Sequence, residues 1–424
     1  MARRPSILFV NQFYWPDVAA TAQMLTDLTE HLAADGYDVH VLAGVGAYDE
    51  TTAGGAGAEV RRGVTIHRIR TTRFGRGRHV GRVADYATFY LGALRHVLRR
   101  RYDLVVTLTT PPMLPVLGAA MRRLRGVPYG VWSMDLHPEA EIALGMLAPD
   151  SAAARALHAA GDRGYGRASF VVALGPHMAR RITARGVAPE RVREISVWGG
   201  RDEVQPIAPE DNPLRAELGL EGRFVVMYSG NAGLAHRFDE VEAAMEALRD
   251  DDRIAFVVAG GGPRRPELEA FAAERGLGNV RFLDYFPRAR LAEALSLADV
   301  HLLTLRPDMA GIAVPSKLFG AMAAGRPTAV VAPAASEPAE IVSAHGAGFV
   351  IEPGEAGLAD RLRALADDPG EAAKMGAAAR EAFLQAYERE VCCRAWGDLL
   401  AEHVGRPARP APAAPEPAGA PELT

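Results

Sequence analysis

Residues 309–327 read MAGIAVPSKLFGAMAAGRP, in which a loop, an apolar helix and a stop signal follow one another. Ser316 stands where it can cap the start of the helix, and the Gly-Arg-Pro run at 325–327 ends it. The apolar run TAVVAP at 328–333 comes next and is typical of a buried strand. This helix-to-strand unit predicts one repeat of a parallel α/β sheet.

The same alternation of short β-rich runs and helical patterns extends along the chain in both directions, which is the signature of a parallel α/β fold. It forms two consecutive series, so we predict an α/β protein with two Rossmann-like, doubly wound parallel-sheet domains facing a central cleft. The predicted strands are 6–13, 37–43, 64–70, 102–108, 128–134 and 169–174 in the first series, and 224–230, 253–260, 280–285, 300–305, 328–333 and 348–352 in the second.

The domain boundaries follow from the polar, Pro-rich segment VQPIAPEDNP at 204–213, which is the natural linker between the two series. We predict an N-terminal domain over 1–203 and a C-terminal domain over 204–387. A helix over 388–404 is predicted to cross back to the first domain. The Pro/Ala-rich tail 405–424 lacks the large apolar side chains needed to offset ordering entropy, and is predicted to be disordered.

The composition of the 424 residues excludes several classes of protein. The two cysteines, Cys392 and Cys393, are adjacent, so neither a disulfide framework nor a thiol metal cluster is expected. An uncharged apolar run of about 18 residues is absent, which excludes an ordinary transmembrane helix. Residue 1 begins no export signal. We therefore expect a cytoplasmic protein.

The net charge of −4 hides an asymmetry along the chain. Residues 1–200 carry a net charge of +8 and residues 201–424 one of −12. Much of the positive excess lies in residues 61–101, which hold twelve arginines and a single acid, Asp85. The first half therefore suits an acidic partner. The second half is acidic and recognition modules are absent, so a nucleic-acid partner is not expected.

The loop after the first predicted strand reads NQFYWPDVAAT over residues 11–21 and leads into a helix. Small residues from Ala19 onward let the backbone approach a ligand, and the helix start offers free N–H groups to an anion. The alternative is an ordinary turn in which Thr21 or Asp17 caps the helix.

A cluster of titratable residues follows the fifth predicted strand, where residues 133–141 read SMDLHPEAE. Asp135, His137, Glu139 and Glu141 supply three carboxylates and an imidazole, which can act as a general base or orient a sugar hydroxyl. The alternative is that Asp135 caps the next helix and the two glutamates occupy its favourable first turn.

Two glycine-rich loops follow neighbouring strands of the second series. The first reads SGNAGLAHR over 229–237 and the second GGGPRR over 260–265. Bare backbone between a strand and a helix suits close approach to a diphosphate, and His236 and Arg237 would add positive charge. Neither loop matches the dinucleotide fingerprint or a Walker loop.

Lys317 is conspicuous because it is one of only two lysines among 48 basic residues, the other being Lys374. It lies in the first turn of its predicted helix, where the helix dipole disfavours a cation unless an anion is near. The sequence therefore indicates a phosphate ligand, with a solvated surface lysine as the alternative.

Taken together, these motifs resemble the retaining GT-B glycosyltransferases of family 4, in particular the branch that assembles bacterial polysaccharides and glycolipids. The similarity extends to about residue 400, and its most specific parts are Val314–Leu318 and Ala323–Pro327. The other matching segments are Asn11–Tyr14 with Pro16-Asp17, Asp135–Glu139, Tyr228–Asn231 and Ser336-Glu337.

The resemblance implies an enzyme that moves a sugar from a nucleotide diphosphate-sugar to an acceptor with retention of configuration. It also implies that the second domain binds a UDP-, GDP- or TDP-sugar donor and the first binds a lipid-linked or saccharide acceptor. On this basis Asp135, His137 and Lys317 are the predicted catalytic residues. The predicted donor-side residues are Gly230, Asn231, Gly233, His236, Arg237, Gly261, Gly262, Tyr285, Pro315, Ser316, Lys317 and Glu337, and the predicted acceptor-side residues are Asp17, Ala19, Ala20, Thr21 and Glu139.

The chain departs from the family pattern in the acids around its Pro-Ser-Lys helix. Family members have a pair of glutamates here, whereas this chain has Gly320 at the second position and no acid from Met309 to Phe319. We therefore hypothesise that Glu337 takes over a contact with a hydroxyl of the donor.

A retaining transferase of this class needs no protein nucleophile, because an oxygen of the departing diphosphate can take the acceptor proton on the same face. The protein then has to stabilise the charge that grows on the diphosphate, for which Lys317, Arg237 and the backbone amides near Gly230 and Gly233 are suited. The sequence has no Asp-x-Asp pair at a strand end, so neither a metal ion nor another cofactor is predicted.

Residues 61–101 also carry a membrane hypothesis. Tyr86, Phe89, Tyr90, Ala93 and Val97 share one face of a predicted helix that follows a basic segment containing Arg73, Arg76, Arg78 and Arg82. This arrangement suits an anionic membrane surface, with a peripheral location at the inner face of the plasma membrane. The alternative is that the helix packs on its own sheet and the arginines are solvated.

Three functions are compatible with these observations. The first is a metal-independent glycosyltransferase of polysaccharide or glycolipid assembly. The second is a nucleotide-sugar epimerase of the same fold. The third is a non-catalytic relative that binds nucleotide-sugar, which Gly320 favours.

Overall fold

The computed structural model describes residues 4–17, 19–45, 57–72 and 79–407, except for the side chains of residues 79, 80, 82 and 83. Residues 408–424 of the predicted tail lie outside the described residues, as do Arg73, Arg76 and Arg78 of the basic segment. The chain forms two compact units, one of Met1–Val106 with Trp396–Thr424 and one of Thr107–Ala395. The predicted domain boundaries stay a prediction.

The first unit contains a sheet with helices between its strands. Its elements are β1 (Ser6–Val10), α1 (Ala20–Ala34), β2 (Asp38–Gly44), β3 (Gly57–Arg61), β4 (Val64–Ile69), α2 (His79–Arg99) and β5 (Leu104–Thr107), whose last residue belongs to the second unit. The strands lie in the order β3-β4-β2-β1-β5. Strand β2 pairs in parallel with both β1 and β4.

Strand β3 is antiparallel to β4 and forms a hairpin that the sequence does not predict. The two turn residues, Arg62 and Gly63, both have positive φ, as a two-residue hairpin turn requires. Four of the five residues of β3 are exposed, so its sequence GAEVR has no apolar run that would indicate a strand. The first sheet is therefore parallel with one antiparallel edge strand.

Helix α2 decides between the two alternatives for residues 83–101. The prediction that its aromatic face meets a membrane is wrong. Phe89, Ala93 and Val97 of that face are buried, because the helix turns this side toward its own unit. The leucines on the other side are exposed, Leu91 by 68% and Leu98 by 38%. An apolar surface on α2 exists, but on the opposite side from the one predicted.

The second unit begins with three further parallel strands. Its first elements are α3 (Leu114–Arg125), β6 (Tyr129–Trp132), α4 (Glu139–Ala143), α5 (Ala152–Gly166), β7 (Phe170–Ala173), α6 (Pro176–Ala184) and β8 (Val192–Glu194). Strand β7 pairs in parallel with β6 and with β8. The short strand β8 is not predicted from the sequence, since its residues VRE are partly or fully exposed.

A six-stranded parallel sheet follows in the same unit. Its elements are α7 (Pro213–Glu217), β9 (Phe224–Ser229), α8 (Asp239–Ala247), β10 (Ile254–Ala259), α9 (Arg265–Arg275), β11 (Val280–Leu283), α10 (Leu291–Ser296), β12 (Val300–Thr304), α11 (Lys317–Ala323), β13 (Thr328–Val331), α12 (Glu337–His345), β14 (Gly348–Ile351), α13 (Leu358–Asp367) and α14 (Pro369–Ala382). The last helix, α15 (Arg389–Val404), begins in this unit, and its residues from Trp396 onward belong to the first unit. The strand order is β11-β10-β9-β12-β13-β14.

Both faces of this sheet are covered, as β9 shows. Val226 and Tyr228 point into one buried cluster, whereas Val225 and Met227 point into another on the opposite face. This burial on both sides explains why its strands read as continuous apolar runs. The predicted pair of parallel α/β sheets is confirmed.

The parallel order places the loops that matter for function at one edge of the six-stranded sheet. Gly230 follows β9, Gly260 follows β10, Lys317 begins the helix after β12 and Glu337 begins the helix after β13. These are all carboxyl ends of strands, where open α/β sheets bind their ligands. The candidate site is therefore built from loops that follow different strands.

Candidate active site

Lys317 lies at the centre of the candidate site, at the first residue of α11. Its ammonium nitrogen Nζ donates a hydrogen bond to the hydroxyl of Tyr228 and lies 3.9 Å from the centroid of that ring. The carbonyl oxygen of Asn231 is 3.3 Å from Nζ. Burial lowers the pKa of Lys317 to about 7. Within the described residues this cation has no carboxylate partner, so an anionic ligand would supply its missing counter-charge.

Ser316 stands at the N-cap position of α11 but makes no capping hydrogen bond with its side chain, so that part of the prediction is wrong. The reason is conformational. A capping residue is normally extended, which turns its hydroxyl back onto the following amides, whereas Ser316 already has helical angles (φ −63°, ψ −18°). Its hydroxyl is therefore available to a ligand beside Lys317.

His236 contacts Lys317 as a neutral imidazole. Its Nδ1 donates to the carbonyl oxygen of Thr304, which leaves a lone pair on Nε2, 3.4 Å from Nζ of Lys317. Burial, followed by the nearby charge of Lys317, lowers the pKa of His236 to about 3. The prediction that His236 adds positive charge is therefore wrong, because this histidine is an acceptor that orients the lysine.

Arg237 is engaged elsewhere. Its guanidinium Nη2 lies 3.0 Å from Asp239 and 2.8 Å from the buried carboxylate of Glu240. The side chain lines a shallow cleft of about 350 Å³ together with Arg264 and Arg306, and Asp239 and Asp308 also line this cleft. Because its charge is already paired, Arg237 is not the free diphosphate ligand that the sequence predicts.

The two glycine-rich loops meet beside Lys317. A Cβ atom on Gly260 would lie 2.3 Å from the carbonyl oxygen of Gly230, and one on Gly262 would lie 2.4 Å from Oδ1 of Asn231. Both glycines have positive φ, 116° and 119°, so a side chain is excluded by conformation as well as by space. Glycine at these positions is what allows the two backbone turns to touch.

Not every predicted backbone donor is available. The amide of Gly230 donates to the carbonyl of Ala259 at 2.8 Å, so it extends the sheet and is not free for a phosphate, contrary to the prediction. The amide of Gly233 has no acceptor among the described residues. Gly230 nevertheless lies beside Lys317, because a Cβ atom on Gly230 would be 3.8 Å from Cε of the lysine.

Tyr285 presents an exposed aromatic ring next to the second glycine-rich loop. A Cβ on Gly261 would lie 3.2 Å from Cε2 of this ring, which therefore packs against the bare turn. The side chain is 62% exposed and follows the partly buried edge strand β11. An exposed ring above backbone offers a flat surface for stacking a base.

The Asp135 loop lies against the segment that precedes Lys317. Asp135 forms an isolated antiparallel bridge with Ala313, and the amide of Leu136 donates to the carbonyl of Ile312 at 3.0 Å. The Asp135 carboxylate has no hydrogen-bond partner among the described residues. Burial raises its pKa, a change that the charge of His137 partly offsets. A carboxylate with a raised pKa and no partner is suited to accept a proton, or a hydrogen bond from a hydroxyl group.

His137 is held by Glu141, one helical turn further along the chain. Its Nδ1 lies 2.8 Å and 3.0 Å from the two carboxylate oxygens. Burial alone would lower the pKa of His137, but the hydrogen bond and charge of Glu141 outweigh it and raise the pKa. For the acid Glu141 burial acts in the opposite direction and would raise the pKa, but the hydrogen bond to His137 and its charge outweigh burial and lower the pKa. His137 is thus an imidazole positioned near Asp135, and Glu141 favours its charged form.

Glu139 is part of a separate network. Its carboxylate lies 3.4 Å from Nη1 of Arg185, which also donates to the carbonyl of His137 at 3.2 Å. The Nε of Arg185 donates to Asp162. Glu139 therefore helps to hold the Asp135 loop through Arg185, a residue that the sequence does not single out.

Glu337 joins the starts of two helices. Its Oε1 accepts a hydrogen bond from the amide of Met178 at 2.7 Å, in the first turn of α6. Its Oε2 is buried and has no hydrogen-bond partner among the described residues. Nearby, Nε2 of His177 lies 2.7 Å from Oε2 of Glu340. One oxygen of Glu337 is thus fixed, and the other is buried without a partner among the described residues.

The four acceptor-side residues predicted near the N-terminus belong to the first unit. Helix α1 begins at Ala20, with Ala19 as an N-cap that makes no side-chain hydrogen bond. The amide of Tyr14 donates to the buried carboxylate of Asp17 at 3.3 Å, so this side chain closes a turn and does not cap the helix. Thr21 lies in the first turn of α1 and Pro315 directly before Ser316.

Gly320 occupies the position at which family members carry a glutamate. A Cβ atom at this position would lie 3.2 Å from Cδ1 of Leu295, which is tighter than an ordinary contact. Helix α10, which carries Leu295, therefore fills the space that a longer side chain would need.

Among the described residues, no group of three or more His, Cys, Asp or Glu side chains could hold a metal ion. Metal independence stays a prediction. The helices of the described ranges also include none that is long and apolar enough to cross a membrane.

Two family models match the chain and together cover more than half of it. A glycosyl transferase 4-like domain matches residues 20–198, and the model for glycosyl transferases group 1 matches residues 211–382. The chain belongs to the GT-B glycosyltransferases. This glycosyltransferase therefore carries Lys317 and the glycine-rich loops in its group 1 domain, and Asp135 and His137 in its 4-like domain.

Relatives of this glycosyltransferase have been named in bacterial polysaccharide assembly. It is 28% identical to the probable glycosyltransferase WbjE of Pseudomonas aeruginosa over 60% of this chain, and that alignment spans 64% of WbjE, slightly less than two thirds. It is 26% identical to WcaI of Escherichia coli (strain K12), a putative colanic acid biosynthesis glycosyl transferase, over 80% of this chain and 86% of WcaI.

Solved structures share the fold over nearly the whole chain. The sucrose-phosphate synthase of Thermosynechococcus elongatus superposes with a TM-score of 0.76 at 19% identity, covering 94% of this chain and 99% of that one. HepE of Anabaena in complex with UDP-glucose superposes with a TM-score of 0.69 at 17% identity, covering 93% and 99%. At these identities the similarity establishes the fold.

Proposed function

We propose that this glycosyltransferase moves a sugar from a nucleotide diphosphate-sugar to a lipid-linked or saccharide acceptor, with retention of anomeric configuration and without a metal ion. The observation that carries the proposal is the environment of Lys317. This half-buried cation lies among Tyr228, His236 and bare glycine turns, and the described residues place no carboxylate on it. Such a site lacks one negative charge, which a diphosphate would provide.

The donor would lie along the glycine-rich loops, with its diphosphate at Lys317 and its base against the exposed ring of Tyr285. UDP-glucose, which HepE binds, is one member of the donor class, together with GDP- and TDP-sugars. Glu337 would accept a hydroxyl of the donor on its free oxygen, in place of the glutamate that is absent at Gly320.

In the reaction, Lys317 would stabilise the charge that develops on the leaving diphosphate as the bond to the anomeric carbon breaks. An oxygen of that diphosphate would accept the proton of the attacking hydroxyl, and the new bond would form on the same face of the sugar. Asp135 would orient the acceptor hydroxyl, with His137 stabilising the Asp135 carboxylate in its charged form.

The acceptor proposal includes a peripheral location at the inner face of the plasma membrane. Its support is the outer side of α2, where Leu91 and Leu98 are exposed together with Arg95, Arg99 and Arg100. Apolar side chains flanked by arginines suit the surface of an anionic membrane, where a lipid-linked acceptor would be presented.

The test is an assay with a panel of UDP-, GDP- and TDP-sugars in the presence and absence of EDTA. We expect transfer to an acceptor or slow hydrolysis of the donor. NMR should show that the product has the same anomeric configuration, axial or equatorial, as the donor. Formation of an epimerised donor would instead indicate an epimerase. Binding of all donors without turnover would indicate a non-catalytic relative.

A further inference from the structure

A cleft of about 470 Å³ in the second unit is lined by four arginines and by no acid. Its lining consists of Arg122 and Arg123 from the last turn of α3, Arg167 at the end of α5, Arg191, and the small residues Ala119 and Gly166. The volume lies within the range of small-molecule sites in proteins. We call this set of residues the arginine cleft.

Two of the four arginines are held in place by backbone carbonyls. Nη1 of Arg122 donates to the carbonyl of Arg167 at 2.9 Å, and Nη1 of Arg191 donates to the carbonyls of Gly166 at 2.9 Å and Ala168 at 3.1 Å. Each of these contacts uses one guanidinium nitrogen. The remaining nitrogens of Arg122 and Arg191 are left to face a ligand in a fixed orientation.

The other two arginines, Arg123 and Arg167, have exposed side chains without a hydrogen bond or an ion pair among the described residues. Cations at helix ends are stabilised by the helix dipole, which accounts for an arginine on α3 and another on α5. The dipole does not account for four of them around one cleft. Elsewhere in the second unit exposed arginines such as Arg253 and Arg290 lie against two carboxylates each.

The arginine cleft lies at the amino ends of its strands, whereas the Asp135 loop of the candidate active site lies at the carboxyl ends. Its residues come just before β6, β7 and β8, whereas the Asp135 loop and the start of α6 come just after β6 and β7. A four-residue strand spans about 13 Å, so a ligand in the arginine cleft does not reach the Asp135 loop. An anion bound there is distinct from the diphosphate that Lys317 would hold.

We propose that the arginine cleft binds a phosphate group of a second ligand, by charge-assisted and bidentate hydrogen bonds from its guanidinium groups. Planar guanidinium forks match phosphate oxygens in geometry, and four unpaired cations around a small cleft repel one another until an anion is bound. The phosphate belongs either to a soluble phosphorylated compound or to a lipid headgroup. The inference does not depend on the proposed transfer reaction.

The experiment uses the full chain in a Lys317→Met background, in which the candidate diphosphate site has lost its cation. Titration calorimetry with inorganic pyrophosphate tests the soluble source. Co-sedimentation with vesicles of phosphatidylglycerol, compared with phosphatidylcholine, tests the lipid source. The variant is Arg123→Gln with Arg167→Gln, because neither side chain has a partner to lose. The matched control, Arg4→Gln with Arg70→Gln, removes the same charge from exposed positions outside the cleft, and neither of these side chains has a partner among the described residues.

We expect the Lys317→Met protein, the parent of both variants, to bind at least one probe. The cleft variant should bind that probe about tenfold or more weakly, and the control variant should bind it as the parent does. A loss confined to pyrophosphate identifies a soluble ligand, and a loss confined to vesicles identifies a lipid headgroup. Equal losses in the cleft and control variants, or binding of neither probe by the parent, would overturn the proposal.

Discussion

The ammonium nitrogen of Lys317 lies 3.9 Å from the centroid of the Tyr228 ring and donates a hydrogen bond to the hydroxyl of the same residue. One aromatic side chain thus contacts the cation through both its π face and its oxygen. Neither contact supplies a full negative charge, and burial lowers the pKa of Lys317 to about 7. The lysine is therefore poised to change its protonation when an anion binds.

This arrangement predicts that binding of a nucleoside diphosphate takes up a proton near neutral pH. Below about pH 7 the free enzyme already carries the ammonium form, whereas above it the amine is neutral and must be protonated when the diphosphate binds. Affinity for UDP or GDP should therefore fall as the pH rises from 7 to 9. Calorimetry in buffers of different ionisation enthalpy measures the proton uptake directly, and an affinity independent of pH would contradict the assignment.

Replacing Lys317 by methionine should lower kcat/KM about 100-fold or more, because the transition-state charge on the diphosphate loses its cation. The control is Lys374→Met, which changes the chain's other lysine at an exposed position of α14. Wild-type kinetics are expected for the control. Similar kinetics for both variants would show that Lys317 is an ordinary surface lysine.

Tyr228→Phe should act on Lys317 and not on the donor directly. The variant keeps the ring but removes the hydroxyl that accepts from Nζ and donates to the carbonyl of Asn231 at 3.0 Å. Losing that acceptor destabilises the ammonium form, so the pH at which affinity begins to fall should move downward. Tyr285→Phe keeps a stacking ring and should leave the pH profile unchanged. An unshifted profile in Tyr228→Phe would show that the hydroxyl does not tune the lysine.

Much of the fold could be predicted because buried parallel strands read as short apolar runs between glycine and proline signals. Strands β9, β10, β12 and β13 are of this kind, and so the loops after them were identified as well. The hairpin strand β3 could not be found, because an exposed edge strand needs no apolar run. The buried face of α2 could not be assigned either, since periodicity shows that a face exists but not what covers it.

The chemistry of the site depended on contacts that no local pattern contains. His236 is neutral because burial and the charge of Lys317, 81 residues away, lower its pKa, and Glu337 is fixed by Met178, 159 residues away. Arg237 has the expected location but is neutralised by Glu240, which a helical pattern cannot distinguish from a solvated acid. Sequence spacing located the groups, whereas burial and the contacts of each side chain decided their charge.

Glu337 is predicted to have two separable roles. Glu337→Ala removes the acceptor for the Met178 amide and leaves that amide buried, which should lower the free energy of unfolding by about 1–3 kcal/mol. Glu337→Gln keeps an amide oxygen for Met178 and should stay close to wild-type stability. Chemical unfolding of both variants measures this difference.

Donor affinity tests the second role of Glu337. If its free Oε2 accepts a donor hydroxyl, both variants should bind the nucleotide-sugar more weakly, while their affinity for the nucleoside diphosphate alone is retained. Unchanged affinity of Glu337→Ala for the nucleotide-sugar would reject the donor contact and leave only the structural bond to Met178.

The pair of His137 and Glu141 predicts a specific dependence of stability on pH. The raised pKa of His137 adds stability that is complete below its ordinary pKa of 6.5 and is lost as the pH rises through the folded value. The lowered pKa of Glu141 adds stability that is complete above its ordinary pKa of 4.5 and is lost as the pH falls through the folded value. The pair should therefore stabilise the protein most between pH 4.5 and 6.5.

Glu141→Gln should lower the free energy of unfolding by about 1 kcal/mol in this window and by less once the pH exceeds the raised pKa of His137, because the imidazole is then neutral. Thermal or urea unfolding across pH 5 to 9 measures the difference. Glu190→Gln, at an exposed acid without an ion pair among the described residues, serves as the control. A difference that stays constant with pH would mean that His137 is not charged when paired.

The exposed side of α2 predicts how the protein would meet a membrane. Leu91→Ser removes an exposed leucine beside Arg95 without touching the buried face formed by Phe89 and Ala93, so folding should be unaffected. Retention on vesicles of phosphatidylglycerol at low salt should fall several-fold, because the variant loses an apolar side chain that would contact the membrane next to the arginines of α2. Leu384→Ser, at another exposed leucine, is the matched control and should be retained like the wild type. Equal retention of all three proteins would mean that the outer side of α2 does not contact the membrane, and failure of the wild type to bind would reject the peripheral location itself.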